Sequence, residues 1–157
     1  MNFNAPNLVE GRELDFTTYS ANGLAGDGGL AIDTQSTPAH LYIADTYNNR
    51  VLGYKDFRSI QNGAKADLVI GQADLVHTMV NAPGGSPTAP TLTGLNQPVA
   101  VAVDASGNLY VADRGNGRVL RYPAPFSNPA PATPNLVLGQ SNFTRLITDP
   151  SPATMAA

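Results

Sequence analysis

The sequence LYIADTYNNRVLGY at residues 41–54 returns as LYVADRGNGRVLRY at residues 109–122, with nine of fourteen positions identical at an offset of 68 residues. Self-similarity at that spacing, built from short apolar alternations punctuated by turn residues, marks a unit that buries its faces by stacking on copies of itself. Helices are not expected, because 15 Gly and 13 Pro interrupt the chain every few residues and no stretch sustains a 3.6-residue apolar period for three turns. The chain therefore reads as all-β, and its 157 residues, 42% of them hydrophobic, suffice to enclose a core.

Within the second copy, residues 98–104 (PVAVAVD) are apolar on both faces, the pattern of a strand buried between neighbours. Ala105, Ser106, Gly107 and Asn108 supply turn chemistry, 109–113 a second strand, 114–117 another tight turn and 118–122 a third strand. The Pro-rich segment 123–134 cannot join a ladder and reads as a loop, after which 135–140 (NLVLGQ) closes the unit as a fourth, outer strand. The first copy runs in the same order through 29–33, 41–45, 50–54 and 67–72, with a longer first turn at 34–40. Residues 7–12 (NLVEGR) mirror 135–140 and read as an orphan fourth strand. The architecture expected is a β-propeller of four-stranded antiparallel blades, here about two blades plus one orphan outer strand over residues 1–147. Residues 148–157 have the composition of a flexible tail or a truncated connection.

The pattern Pro98…Val101-Ala102-Val103-Asp104…Gly107-Asn108-Leu109-Tyr110-Val111-Ala112-Asp113…Asn116…Arg118-Val119 resembles the NHL repeat, and Asp45, Asn48 and Arg50 repeat its second half in the first copy. Gly29-Leu30-Ala31-Ile32-Asp33 departs from the pattern by lacking the Pro. The resemblance implies a bacterial NHL-type propeller, usually closed by six blades, in a secreted or cell-envelope protein. Two blades would then be a partial propeller, closed by the remaining blades of a larger chain or by self-assembly of several copies.

Asp45, Asn48, Asn49 and Arg50 gather around one tight turn, and Asp113, Arg114, Asn116 and Arg118 around its counterpart, so carboxylate, amide and guanidinium lie within mutual reach. They are the candidate binding residues, a repeated polar rim on the loops where repeat proteins bind. A structural reading competes with that one: Asp and Asn satisfy turn amides while Arg pairs with Asp, and recurrence in both copies is what a folding requirement predicts.

Other chemistry is sparse. A net charge of −3 opposes non-specific phosphate binding, so no nucleic acid is expected; Arg114, Arg118 and Arg121 beside Tyr110 and Tyr122 form the small cluster on which an RNA-binding reading would rest. His40 and His77, the only histidines, both fall in predicted loops, as solvated side chains, and with no Cys there is neither disulfide nor thiolate site. Gly26-Asp27-Gly28-Gly29 and Asn96 are the thin calcium candidates, better explained as turn residues, and no cofactor is expected. The sequence has no membrane span, no Gly-x-Ser-x-Gly elbow and no spaced carboxylate pair. Asp15-Phe16-Thr17 and Asn142-Phe143-Thr144 are expected to insert an aromatic between blades, Leu75 taking that place in the middle copy. The expected role is a non-catalytic scaffold whose rim loops contact a protein or glycan partner. The resemblance also admits a metal-dependent enzyme of the lactonase-like or lyase-like class, its active-site residues mostly in other blades, and an RNA-binding propeller.

Overall fold

The computed structural model of the chain describes residues 17–20, 23–26, 28–128 and 132–147. Residues 7–12, the expected orphan strand, and 148–157, the expected tail, lie outside the described residues, as do Asp15, Phe16 and Asp27. The described regular structure is all β apart from short 3-10 turns.

An N-terminal hairpin pairs β1 (Thr17–Ser20) with β2 (Gly23–Gly26) in antiparallel register, Tyr19 opposite Leu24. It was not expected, although Asn22-Gly23 is a strong hairpin dipeptide. Two four-stranded antiparallel meanders follow. The first is β3 (Leu30–Asp33), β4 (His40–Asp45), β5 (Arg50–Tyr54) and β6 (Leu68–Ile70) in that spatial order. The second is β7 (Pro98–Val103), β8 (Leu109–Asp113), β9 (Arg118–Tyr122) and β10 (Leu136–Leu138). Each sheet is a blade of the kind the repeat implies.

Turn chemistry sets the hairpins within each blade. Asp104 leaves the end of β7 and its Oδ1 accepts from the backbone N–H groups of Ser106 and Asn108 at 2.8 and 3.0 Å. Gly107 then takes a φ of +76°, in the left-handed region that suits glycine. In the longer turn of the first blade, Asp33 does the same work for Gln35 N, at 2.9 Å, and the Ser36 hydroxyl, at 2.6 Å.

The blades stack face to face. Because side chains alternate across a strand, Val101 and Val103, Leu109 and Val111, and Leu120 and Tyr122 share one face of the second blade through the pairs Val101↔Val111, Val111↔Leu120 and Leu109↔Tyr122. That face joins Tyr42, Val51, Leu68 and Ile70 of the first blade in one apolar cluster, with Leu95 and Ala132 from the connections. Gly29 marks a close approach: a Cβ there would lie 2.9 Å from the Ala100 Cα. The Thr46 hydroxyl donates to the Pro98 carbonyl at 2.8 Å, tying the blades at one end.

Two segments differ from what the sequence pattern predicts. The innermost strand of the second blade is not buried on both faces, since Ala100 and Ala102 are exposed; among the described residues the apolar cluster lies on the other face of β7, with Val101 and Val103. His40 is no loop residue. It opens β4, is buried, places Nδ1 2.5 Å from the Lys55 carbonyl and sets its ring 4.3 Å from that of Phe126, which the Pro-rich loop lays across the first blade.

Tyr122 is fully buried in the cluster, and among the described residues its hydroxyl has no hydrogen-bond partner. Burial, then the Asp113 charge, pushes its phenol far above the ordinary range. An unsatisfied buried hydroxyl costs about 1–3 kcal/mol, so Tyr122→Phe is expected to hold or raise the urea midpoint, by about 1 kcal/mol in stability. A lowered midpoint would mean that the hydroxyl has a partner.

Candidate functional site

The two rim turns have the same construction. A single turn of 3-10 helix, Thr46–Asn48 in the first blade and Arg114–Asn116 in the second, carries the chain from the second strand to the third. It ends on a residue in the left-handed conformation, Asn49 at φ 52° and Gly117 at φ 57°. Asn and Gly are the two residue types that adopt this region most readily.

Behind each turn lies a buried clamp. Arg50 Nε is 2.6 Å from Asp45 Oδ2, and Arg118 Nε is 2.7 Å from Asp113 Oδ2. Asn48 Nδ2 donates to the Asp45 carboxylate at 3.1 Å, and Asn116 Nδ2 to Asp113 Oδ2 at 2.7 Å. The guanidinium tips reach the connections beside each blade: Arg50 Nη1 donates to the Leu75 carbonyl at 2.7 Å after the first blade, Arg118 Nη1 to the carbonyls of Phe143, after the second blade, and Thr91, before it, and Arg118 Nη2 to that of Gly94, also before it, at 2.7 Å. Leu75 and Phe143 are 68 residues apart and their carbonyls accept from the equivalent guanidinium; the Phe143 side chain packs against the core cluster, whereas Leu75 lines a hollow with Arg50, Leu52 and Tyr54. Burial raises the Asp113 carboxyl above its ordinary range, and the Arg118 charge and the donors from Asn96 N and Asn116 oppose that shift.

A second repeated device lies at the end of the Leu-Val-x-Gly-Gln segments, which the sequence pattern presents as outer strands. Gly71 and Gly139, again 68 apart, have φ of +96° and +85°. A Cβ on either would meet a turn carbonyl, Asn49 O at 2.8 Å or Gly117 O at 2.9 Å. The next residues press on the same turns: Gln72 Nε2 donates to Asn49 O at 2.9 Å and Met79 O at 2.8 Å, while Gln140 Nε2 donates to Gly117 O at 3.3 Å and Ile147 O at 3.4 Å. Their Oε1 atoms accept from the Met79 and Ile147 amides, seven residues on in both copies. The signal was in plain view as the repeated Leu-Val-x-Gly-Gln.

Of the candidate rim residues, Asp45, Asn48, Arg50, Asp113, Asn116 and Arg118 are buried. Asn49 is half-buried, its Oδ1 accepting from Gln97 N and its Nδ2 donating to Thr78 O, both at 3.0 Å, and Arg114 is exposed. The basic cluster does not assemble: Arg118 is held by Asp113 and Tyr122 is in the core, leaving Arg121 opposite Tyr110 on the outer face of the second blade. Asn96 is buried, its amide donating to Asp113 Oδ1 at 2.7 Å and its side chain to Pro87 O at 3.2 Å. His77 is exposed, with Nδ1 2.7 Å from Asp74 Oδ1. It borders an apolar cleft of about 400 Å³ along the outer strand of the first blade, lined also by Ile70, Met79, Pro83 and Ala132.

Stacked four-stranded antiparallel blades with a recurring Asp–Asn–Arg clamp define a repeat protein whose polar signature serves the fold. The family model of the NHL repeat matches residues 95–122, which run from the buried Leu95 through β7, β8 and β9, so the chain carries an NHL repeat. No curated protein matches the chain.

Proposed function

We propose that the chain is a non-catalytic interaction scaffold that contacts a protein partner through the rim turns at 46–49 and 114–117. One observation carries this reading: around the two rim turns, the clamp residues that stay the same are buried and most of the turn residues that change are turned toward the rim. Asp45/Asp113, Asn48/Asn116 and Arg50/Arg118 are identical and enclosed, whereas Tyr47/Gly115 and Asn49/Gly117 differ and are exposed or half-buried. Thr46/Arg114 also differs; Arg114 is exposed, while the Thr46 hydroxyl is drawn inward to Pro98 O. Variable side chains on an invariant rigid frame are how loop-bearing scaffolds recognise macromolecules.

A photo-reactive side chain placed at Tyr47 or Arg114 of the full chain in its native host tests the reading. Both positions are expected to yield a discrete adduct containing a different protein, and Ser106, in the turn at the opposite end of the second blade, is expected to yield none. Adducts from Ser106 alone, or glycan adducts at the rim, would overturn it.

A further inference from the structure

The two blades meet through unlike faces, and among the described residues each leaves the complement of that contact without a second sheet against it. In the interface, the first blade presents Tyr42, Val51, Leu68 and Ile70, and the second presents Val101, Val103, Leu109, Val111, Leu120 and Tyr122. The equivalents of the latter set in the first blade are Leu30, Ile32, Leu41, Ile43, Leu52 and Tyr54, which share its far face through the pairs Leu30↔Ile43, Ile32↔Leu41, Ile43↔Leu52 and Leu41↔Tyr54. There the environment differs at the edge of the face, although Leu52 is itself buried. Leu30 is 68% exposed and Ile32 41%, and a hollow of about 590 Å³ opens beside Leu52 and Tyr54.

At the opposite end of the stack, the equivalents of Tyr42, Val51, Leu68 and Ile70 are Tyr110, Val119, Leu136 and Leu138. These lie on the outer face of the second blade with Ala100 and Ala102. Tyr42 is 1% exposed and Ile70 2%, but Tyr110 is only half-buried and Leu138 is 38% exposed. One position departs: Gly53, against which Phe126 packs, is replaced by Arg121, whose Nε donates to Asn135 Oδ1 at 3.0 Å.

We propose that the outer face of the second blade docks on the far face of the first blade in a second copy of this chain, repeating the internal blade–blade contact between molecules. Leu136 and Leu138 of one copy enter the hollow beside Leu52 and Tyr54 of the next, as Leu68 and Ile70 join Leu120 and Tyr122 within the chain. The occupant follows from continuity with the established interface, since both halves of that contact are present on one molecule and, among the described residues, each keeps exposed apolar side chains, Leu30 and Ile32 on one and Leu138 on the other. Such a contact is heterologous, so it propagates head to tail and ends only by ring closure.

The mass of the full chain in solution, measured by light scattering over a concentration series, is the first readout, and a whole-number multiple of the chain mass is expected. Leu30→Glu and Ala102→Glu place a charge on opposite open faces at exposed positions, so both variants keep the native circular dichroism spectrum and each alone is expected to be monomeric. Mixed in equal amounts they are expected to form a 1:1 dimer and nothing larger, because each retains one intact face. A wild-type monomer at every concentration overturns the proposal, as would happen if the N-terminal residues of the same chain cover the far face. Failure of the mixed variants to pair overturns it as well, by assigning any wild-type association to another surface.

Discussion

Replacing Arg118 by Met is expected to cost about 3–5 kcal/mol, the usual penalty for removing one partner of a buried ion pair. The carboxylate left behind is fully enclosed, and Asn96 N and Asn116 Nδ2 are the donors remaining from its clamp. The carbonyls of Phe143, Thr91 and Gly94 lose their guanidinium at the same time, so the connections on both sides of the second blade are loosened. Equilibrium urea unfolding at neutral pH reads the loss, and a change below about 1 kcal/mol would place the pair with solvent-screened surface bridges. The sign of the pH dependence is a sharper check. Burial already raises the Asp113 carboxyl above its ordinary value of 3.8 while Arg118 pulls it down, so deleting Arg118 raises it further. With a folded-state value above the unfolded one, the native state holds the proton more tightly, and the carboxyl's contribution to stability is lost as pH rises through that folded value. The deficit of Arg118→Met relative to the wild type is therefore expected to narrow on acidification. Asp113→Asn, which leaves the guanidinium enclosed instead, lacks this recovery.

The strands that flank the rim turns were legible to the residue where alternation is regular: 50–54, 109–113 and 118–122 coincide with β5, β8 and β9. Period-two alternation and Gly or Asn punctuation determine such segments locally. The outer strands proved shorter than expected, Leu68–Ile70 and Leu136–Leu138, because Gly71-Gln72 and Gly139-Gln140 turn away to grip the rim turns. Connection 72–97 was opaque for a related reason. It is held by Gln72, Asn81, Thr91 and Asn96 bonding to scattered carbonyls and side chains, and such bonds have no period. The composition of the rim clusters was read correctly, but their depth was not visible, since Asp, Asn and Arg are ordinarily surface residues and only the stacked blades show that each donor has an acceptor. His40 misled because its neighbours Pro38 and Ala39 read as turn, whereas Phe126, 86 positions along the chain, encloses it.

Gly94→Ala is expected to cost about 3 kcal/mol or more, at or beyond the upper end of overpacking penalties. A Cβ at Gly94 would lie 2.3 Å from both Ala82 N and Asn81 C and 2.5 Å from Ala82 O. All three are backbone atoms, so no rotamer change relieves the overlap, and one strand of the connection must move away from the other. That displacement reaches the core and the clamp together. Asn81 N donates to Leu95 O at 2.8 Å, Asn81 and Asn116 exchange side-chain hydrogen bonds at 3.2 and 2.7 Å, and Gly94 O itself accepts from Arg118. Two further glycines separate steric overlap from backbone strain. At Gly63, φ is +79° but a Cβ would have nothing within 4 Å, so Gly63→Ala is expected to cost only the conformational penalty of about 1 kcal/mol for a left-handed residue. Gly139→Ala combines a φ of +85° with a carbonyl at 2.9 Å and should fall between the two. Chemical denaturation of the three variants under one set of conditions tests the order, and a Gly94→Ala loss no larger than that of Gly63→Ala would show that the 81–95 connection does not hold its backbone against the second rim turn as described.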